Sequence, residues 1–265
     1  MRIRLLLFVL GACVAAAPAL GASDEADRVK SATDVLAQLE DIPEQAVPPA
    51  LLARAYGVAV IPNVIKIGFG LGARRGKGVL VVRQAGGTWS NPVFITLTGG
   101  SFGWQIGAQS TDIILVFKTR KGVDDIARGK LTLGADAAIA AGPVGRSAGV
   151  ATDIEFAAEV FSYSRSRGLF AGVALEGAGI AIDREANEAF YRKPGITAEQ
   201  IFAGPGNMAP AAANEFVQVL SGQTRGLPTL PAMSDAPAAA NTAAEAAPKE
   251  VRTYGIGDPD APPDD

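Results

Sequence analysis

The sequence predicts an α+β protein: a curved, glycine-rich, mainly antiparallel β core, sandwich- or barrel-like, with amphipathic helices at both ends. Three observations carry this. From Gly57 to Ile182 apolar residues alternate with polar or glycine residues in short runs bounded by Gly, Asn and Ser. On either side of that region the apolar spacing lengthens to three and four. Several of the strand-like runs carry glycine at every second position, which strips one face of side chains. With 265 residues, 48% of them hydrophobic, the chain can bury one sizeable core.

The elements follow in order. Residues 1–21 read as a signal peptide, with Arg2 and Arg4 ahead of an apolar stretch from Leu5 to Ala17. Ala19 and Gly21 supply the small residues of a cleavage site, so the mature chain would start near Ala22. A second reading stays open: Leu10-Gly11-Ala12-Cys13 is similar to a lipobox, in which case Cys13 is lipidated. Both readings take the protein out of the cytoplasm, to the periplasm or medium, or to a membrane anchor as a lipoprotein. Val29, Ala32, Val35, Leu36 and Leu39 then form the apolar stripe of a helix, opposite Asp27, Arg28, Lys30, Asp34 and Glu40, with Ser23 as its N-cap. Leu51–Ala55 gives a second, short helix after the Pro48-Pro49 pair.

Strand-like runs follow at Val58–Ile61, Ile65–Ala73, Gly78–Arg83, Val93–Thr98, Ile106–Ala108 and Ile113–Lys118. A helix fits Val123–Arg128, started by Asp124 and Asp125. More strands fit Leu131–Leu133, Ala137–Ala141, Glu155–Ser164, Leu169–Leu175 and Gly179–Ile182, and helices Glu185–Phe190, Ala198–Phe202 and Ala211–Leu220 close the domain, which spans 22–225. Residues 226–265 hold seven prolines and ten alanines and end in an acidic run, a composition that cannot bury a core and reads as a disordered tail.

Composition removes several kinds of chemistry. There is no histidine, which excludes a Ser-His-Asp triad, a Cys-His pair and any His-ligated metal. The one cysteine, Cys13, lies in the leader, so the folded domain has neither a disulfide nor a thiolate site. No cofactor and no metal is expected. The net charge of −3 argues against a nucleic-acid binder, but it is segregated. Residues 1–53 carry 4 basic and 7 acidic side chains, 54–193 carry 17 and 11, and 194–265 carry 3 and 9. An anionic partner should therefore meet the middle of the chain.

The most cationic glycine-rich stretch, Lys66 to Gly78, reads KIGFGLGARRGKG. It is no nucleotide loop. A Walker loop needs Ser or Thr after Gly76-Lys77, where Gly78 stands, and a glycine where Leu71 stands. A dinucleotide fingerprint needs a helix after its third glycine, whereas Val79 to Val82 reads as strand. Alternation instead puts Gly68, Gly70 and Gly72 on one face and Ile67, Phe69, Leu71 and Ala73 on the other.

An ordered series of landmarks resembles the SYLF domain family. It runs through Gly57–Pro62, Gly68–Gly72, Gly76–Arg83, Trp89–Pro92, Gly103–Gln109 with Thr111-Asp112, Gly142–Arg146, Ser162–Gly172 and Leu175–Gly177, and covers about residues 24–204. The resemblance implies a lipid-binding module without enzymatic activity. Eukaryotic members bind phosphoinositides and other acidic phospholipids, and some bind actin. The leader makes this chain look like the bacterial, secreted branch, for which phosphatidylglycerol, cardiolipin or lipopolysaccharide is the expected ligand and actin is not an expected partner.

Residues and resemblance converge on a basic surface for lipid headgroups, made by Lys66, Arg74, Arg75, Lys77 and Arg83, by Lys118, Arg120 and Lys121, and by Arg165 and Arg167. A strand-to-strand turn would present Arg74, Arg75 and Lys77 together. Asp112, Asp153 and Glu176 are expected to pair with Arg146 or Arg165 or to cap turns, and Trp89 and Trp104 to pack. The expected partner is an anionic phospholipid or membrane surface. The alternative is an envelope protein engaged through the amphipathic helix or the acidic tail.

Overall fold

The structure, a computed structural model, describes residues 20–39, 47–143, 158–166, 169–205 and 208–227. Cys13, Glu40, Arg146, Asp153, Arg167 and nearly all of the leader and tail lie outside them. The α+β expectation holds. Helix α1 (Leu20–Ala37) is followed by α2 (Pro49–Ala53). Next come the long strands β1 (Gly57–Val82) and β2 (Val93–Phe117), then α3 (Arg120–Arg128). Short strands β3 (Lys130–Thr132), β4 (Ile139–Ala141), β5 (Val160–Ser166), β6 (Leu169–Gly172) and β7 (Gly179–Ile182) precede helices α4 (Arg184–Tyr191), α5 (Ala198–Ala203) and α6 (Ala211–Gln223).

The stripe predicted on α1 is the one that is buried: Val29, Ala32 and Leu36 are fully covered and Val35 and Leu39 nearly so. They meet Phe216 and Leu220 of α6 and Val58, Val60, Val79 and Val81 of the sheet in one core. Ser23 does not cap the helix, which is already under way at Leu20. Asp124 and Asp125 likewise sit inside α3, pairing with Arg120 at 3.2 Å and with Arg128 at 2.7 Å, while Thr119 takes the N-cap position. In both cases a residue suited to capping lies within the helix, and Asp124 and Asp125 pair with arginines instead.

The main departure from expectation is length. Three predicted runs merge into β1 and three more into β2, and the two strands pair antiparallel from Gly57↔Phe117 to Leu80↔Val93. Signals that read as chain breaks are irregularities within a continuous ladder. Pro62 and Asn63 together oppose Asp112, a bulge that Asn63 enters with φ 52°. The carboxylate of Asp112 accepts the Asn63 amide at 2.9 Å and pairs with Arg165 of β5 at 3.2 Å, so one side chain fixes the bulge and the neighbouring strand. Asp112→Ala should cost about 2 kcal/mol, since it frees a bulge amide and strands a mostly buried guanidinium. Chemical denaturation of both proteins measures it, and Asp112→Asn should recover part of the loss through the amide bond alone.

The ribbon also folds back on itself. Gly57 lies against Val81, Gly78 against Val60 and Ile61, and Gly76 against Ile61 and Val64, so the contacting pairs converge on a bend near Gly70. A Cβ at Gly76 would stand 2.6 Å from a Val64 methyl. The glycines let the two arms of β1 close at backbone distance. Gly70 lies next to the second irregularity, where the register shifts between Gly68↔Gly107 and Gly70↔Gly103.

The other edge of β2 is shared. Its Ile95–Thr98 end pairs with β7, which also pairs β3, and its Asp112–Phe117 end pairs with β5, which carries β4 and β6. The pairings between these strands are antiparallel except β4 with β5. Alternation then feeds two cores. One, already described, takes the α1, α4 and α6 side. The other gathers Ile61, Val64, Leu80, Ile95, Leu97, Leu115 and Phe117 with Val123 and Ile126 of α3 and Ile201 of α5.

Candidate functional site

Between the segments held by β7 and by β5, where residues 64–74 of β1 face 99–111 of β2, the ribbon is two strands wide; this part, with its bend, is termed the apex. Alternation sorts the ribbon's residues. Val64, Gly76 and Gly78 are buried between the arms, whereas Ile65, Ile67, Ala73, Arg75 and Lys77 are exposed on their outer faces. Arg74 therefore points away from Arg75 and Lys77. These three side chains are not displayed by a turn, because residues 74–77 are paired strand opposite Thr96–Gly99.

Each cation of this stretch has a different fate. Arg74 is half-buried, reaches the Ala174 carbonyl at 3.5 Å, and has its pKa lowered by burial, with the charge of Glu176 opposing. Lys77 pairs at 3.4 Å with Asp183, the N-cap of α4, whose carboxylate also holds Arg28 at 3.3 Å. Arg28 is thus not on a solvated helix face as expected; its side chain is 14% exposed. Lys66 and Arg75 have no ion pair among the described residues.

Arg83 is engaged by the fold. Its guanidinium donates to the carbonyls of Leu52, Ala55 and Gly87 at 2.9–3.0 Å and stacks 4.1 Å from the Trp89 ring. Burial lowers its pKa. This ties α2 to the β1–β2 turn and gives the Arg83 guanidinium a structural role, while Trp89 packs as expected. Arg165 is likewise held, by Asp112 and over Phe170. Lys118 lies over Phe161, Arg120 pairs with Asp124, and Lys121 donates to the Asp136 carbonyl. Lys121 lines a shallow cavity of about 490 Å³ with Asp125, Arg128, Lys130 and Asp136, whose charges largely offset one another. The basic residues therefore do not form one surface; the ribbon apex and the α3 region are separate.

One further sequence signal marks the apex. Residues 45–111 contain no aspartate or glutamate, while Arg54, Lys66, Arg74, Arg75, Lys77 and Arg83 lie among them. The carboxylates that meet these cations come from elsewhere, Asp183 and Glu176.

A protein-family model described as "Las17-binding protein actin regulator", Ysc84, matches residues 98–223, from β2 through α6. SH3 domain-containing YSC84-like protein 1 of Xenopus laevis is 38% identical over 183 residues, 69% of this chain and 54% of that protein. The human protein of the same name is 35% identical over 201 residues, 74% of this chain and 58% of its own length. The chain belongs to the Ysc84, or SYLF, family. LAS seventeen-binding protein 3 of Saccharomyces cerevisiae is 41% identical over 171 residues, 63% of this chain and 37% of that one. The matches thus span little more than half of each relative's length, or less. The Ysc84 model leaves out β1, so Lys66, Arg74, Arg75 and Lys77 lie before the span that it matches.

Proposed function

We propose that this Ysc84-family chain is a non-enzymatic module that docks on anionic phospholipid surfaces through the apex of its β1–β2 ribbon, in the periplasm or at the envelope surface. The observation that supports this most is electrostatic. The ribbon carries only positive formal charge up to Asp112, and Lys66 on its two-stranded part and Arg75 opposite Thr98 have no ion pair among the described residues. The location rests on the leader alone.

Each cation held at an anionic bilayer contributes roughly 1 kcal/mol, so Lys66→Gln with Arg75→Gln should weaken binding about thirtyfold. Co-sedimentation with phosphatidylglycerol vesicles measures this, with phosphatidylcholine vesicles as the neutral comparison. Raising salt from 0.1 to 0.5 M should weaken the unaltered protein as well. Equal binding to both vesicle types would remove the proposal.

A second reading is favoured by the name of the yeast relative, LAS seventeen-binding protein 3, which specifies a protein partner. In this chain such a partner would not use the apolar face of α1, because that face is inside the core. Capture of an envelope protein by the full chain, lost on removing residues 228–265, would support this reading through the tail.

A further inference from the structure

Among the described residues the exposed large hydrophobic side chains are Ile65, Ile67 and Leu227, and the first two are neighbours on one face of one strand. Ile65 is 50% and Ile67 61% exposed. A scattered exposed aliphatic residue is ordinary, but adjacent β-branched residues on an unpartnered, two-stranded ribbon are a surface awaiting a partner. The cross-strand neighbour of Ile65, Ser110, is small and itself exposed. Lys66 lies between the two isoleucines in sequence, Arg75 is on the returning arm, and no carboxylate occurs from residue 45 to residue 111.

This pairing of apolar surface with unopposed positive charge selects the occupant. A second copy of the ribbon would bring cation against cation. An anionic bilayer offers hydrocarbon below and phosphate above, matching both. We infer that the outer face of the two-stranded part of the ribbon enters the bilayer surface, with Ile65 and Ile67 in the acyl boundary and Lys66 in the headgroup layer. The Lys66 stem is long enough to lie along the apolar layer while its ammonium reaches phosphate. The inference rests on the docking reading above and adds a penetrating element to it.

The two contributions separate experimentally. Coulombic docking fades with salt, whereas apolar insertion does not. Ile65→Ser with Ile67→Ser, which leaves every cation in place, should weaken binding to phosphatidylglycerol vesicles roughly ten- to a hundredfold, and the deficit should persist at 0.5 M salt. In a full chain with Cys13→Ser and Ile67→Cys, an environment-sensitive dye on the new thiol should shift to the blue on adding those vesicles. Nitroxide-bearing lipid should quench it.

Vesicle binding by the double serine variant at the unaltered strength, with the dye unshifted and unquenched, overturns insertion and leaves surface docking standing. Failure of the unaltered protein to bind the vesicles at all overturns docking and insertion together. A dye shift that follows protein concentration without vesicles assigns the face to self-association and overturns the bilayer. The dye readout on the singly altered chain decides the matter should the serine variant fold poorly.

Discussion

Gly78→Val is expected to destabilise the protein by about 3 kcal/mol or more. A Cβ at residue 78 would collide with the Val60 carbonyl and stand 2.7 Å from the Ile61 Cα, and neither backbone atom can rotate away. The substitution must therefore pry the arms of β1 apart or break the ladder to β2. Gly76→Ala should cost less, because what its Cβ meets, Val64 and Ile61 side chains, can shift. Gly86→Ala, with nothing within 4 Å and no left-handed backbone, is the control and should stay within about 0.5 kcal/mol of the unaltered protein. Urea midpoints at constant slope provide the comparison. Gly78→Val unfolding at the same midpoint as Gly86→Ala would mean that the arms do not close.

Arg83→Ala should cost a comparable amount, about 3 kcal/mol, with no specific loss of vesicle binding by the folded protein. Each hydrogen bond from a charged donor is worth about 1.5–3 kcal/mol, and three would exceed this total. The three hydrogen bonds are only part-buried, however, and water recovers part of the loss. Removing the guanidinium also uncovers Trp89, which is 6% exposed. Arg83→Lys cannot fork to three acceptors and should restore only a fraction. A folded Arg83→Ala protein with normal stability but weakened binding to phosphatidylglycerol would restore this residue to the lipid surface.

Much of the fold was legible because periodicity is a local property. The stripe of α1, the terminal helices and the individual strand runs follow from which neighbours are apolar. What was not legible is continuity. Pro62-Asn63 and Gly68 to Gly72 read as punctuation in one dimension, and whether such a signal ends a strand or bends it depends on the partner strand, here Asp112 and the Gly99–Gly107 segment.

The candidate site divided in the same way. The cationic stretch was visible, but a guanidinium held by three carbonyls looks like any other arginine in sequence, so Arg83 was grouped with Lys66 and Arg75. Alternation set Ile67 apart from the glycines, yet it could not say that the side chain is exposed. Asp183, which holds Arg28 and Lys77, is more than a hundred residues from either, and no spacing rule reaches that far. The carboxylate-free span from residue 45 to residue 111 was the signal available to sequence reading that best marks the apex.

The Asn63 bulge has a consequence for how the ribbon can change length. At both ends of β2 the odd-numbered residues face the α3 side: Val93, Ile95 and Leu97 at one, Ile113, Leu115 and Phe117 at the other. On β1 the odd residues Ala59 and Ile61 face that side before the bulge, and the even residues Val64, Leu80 and Val82 face it afterwards. The ribbon thus has a reading frame of two, and the extra residue at the bulge shifts it once. Loss of a single residue between Val64 and Val79 would exchange Leu80 and Val82 with Val79 and Val81, turning each core's side chains into the other, whereas loss of Pro62 or Asn63 would only straighten the bulge. Length variation along β1 should be tolerated in steps of two, or where a second bulge restores the frame.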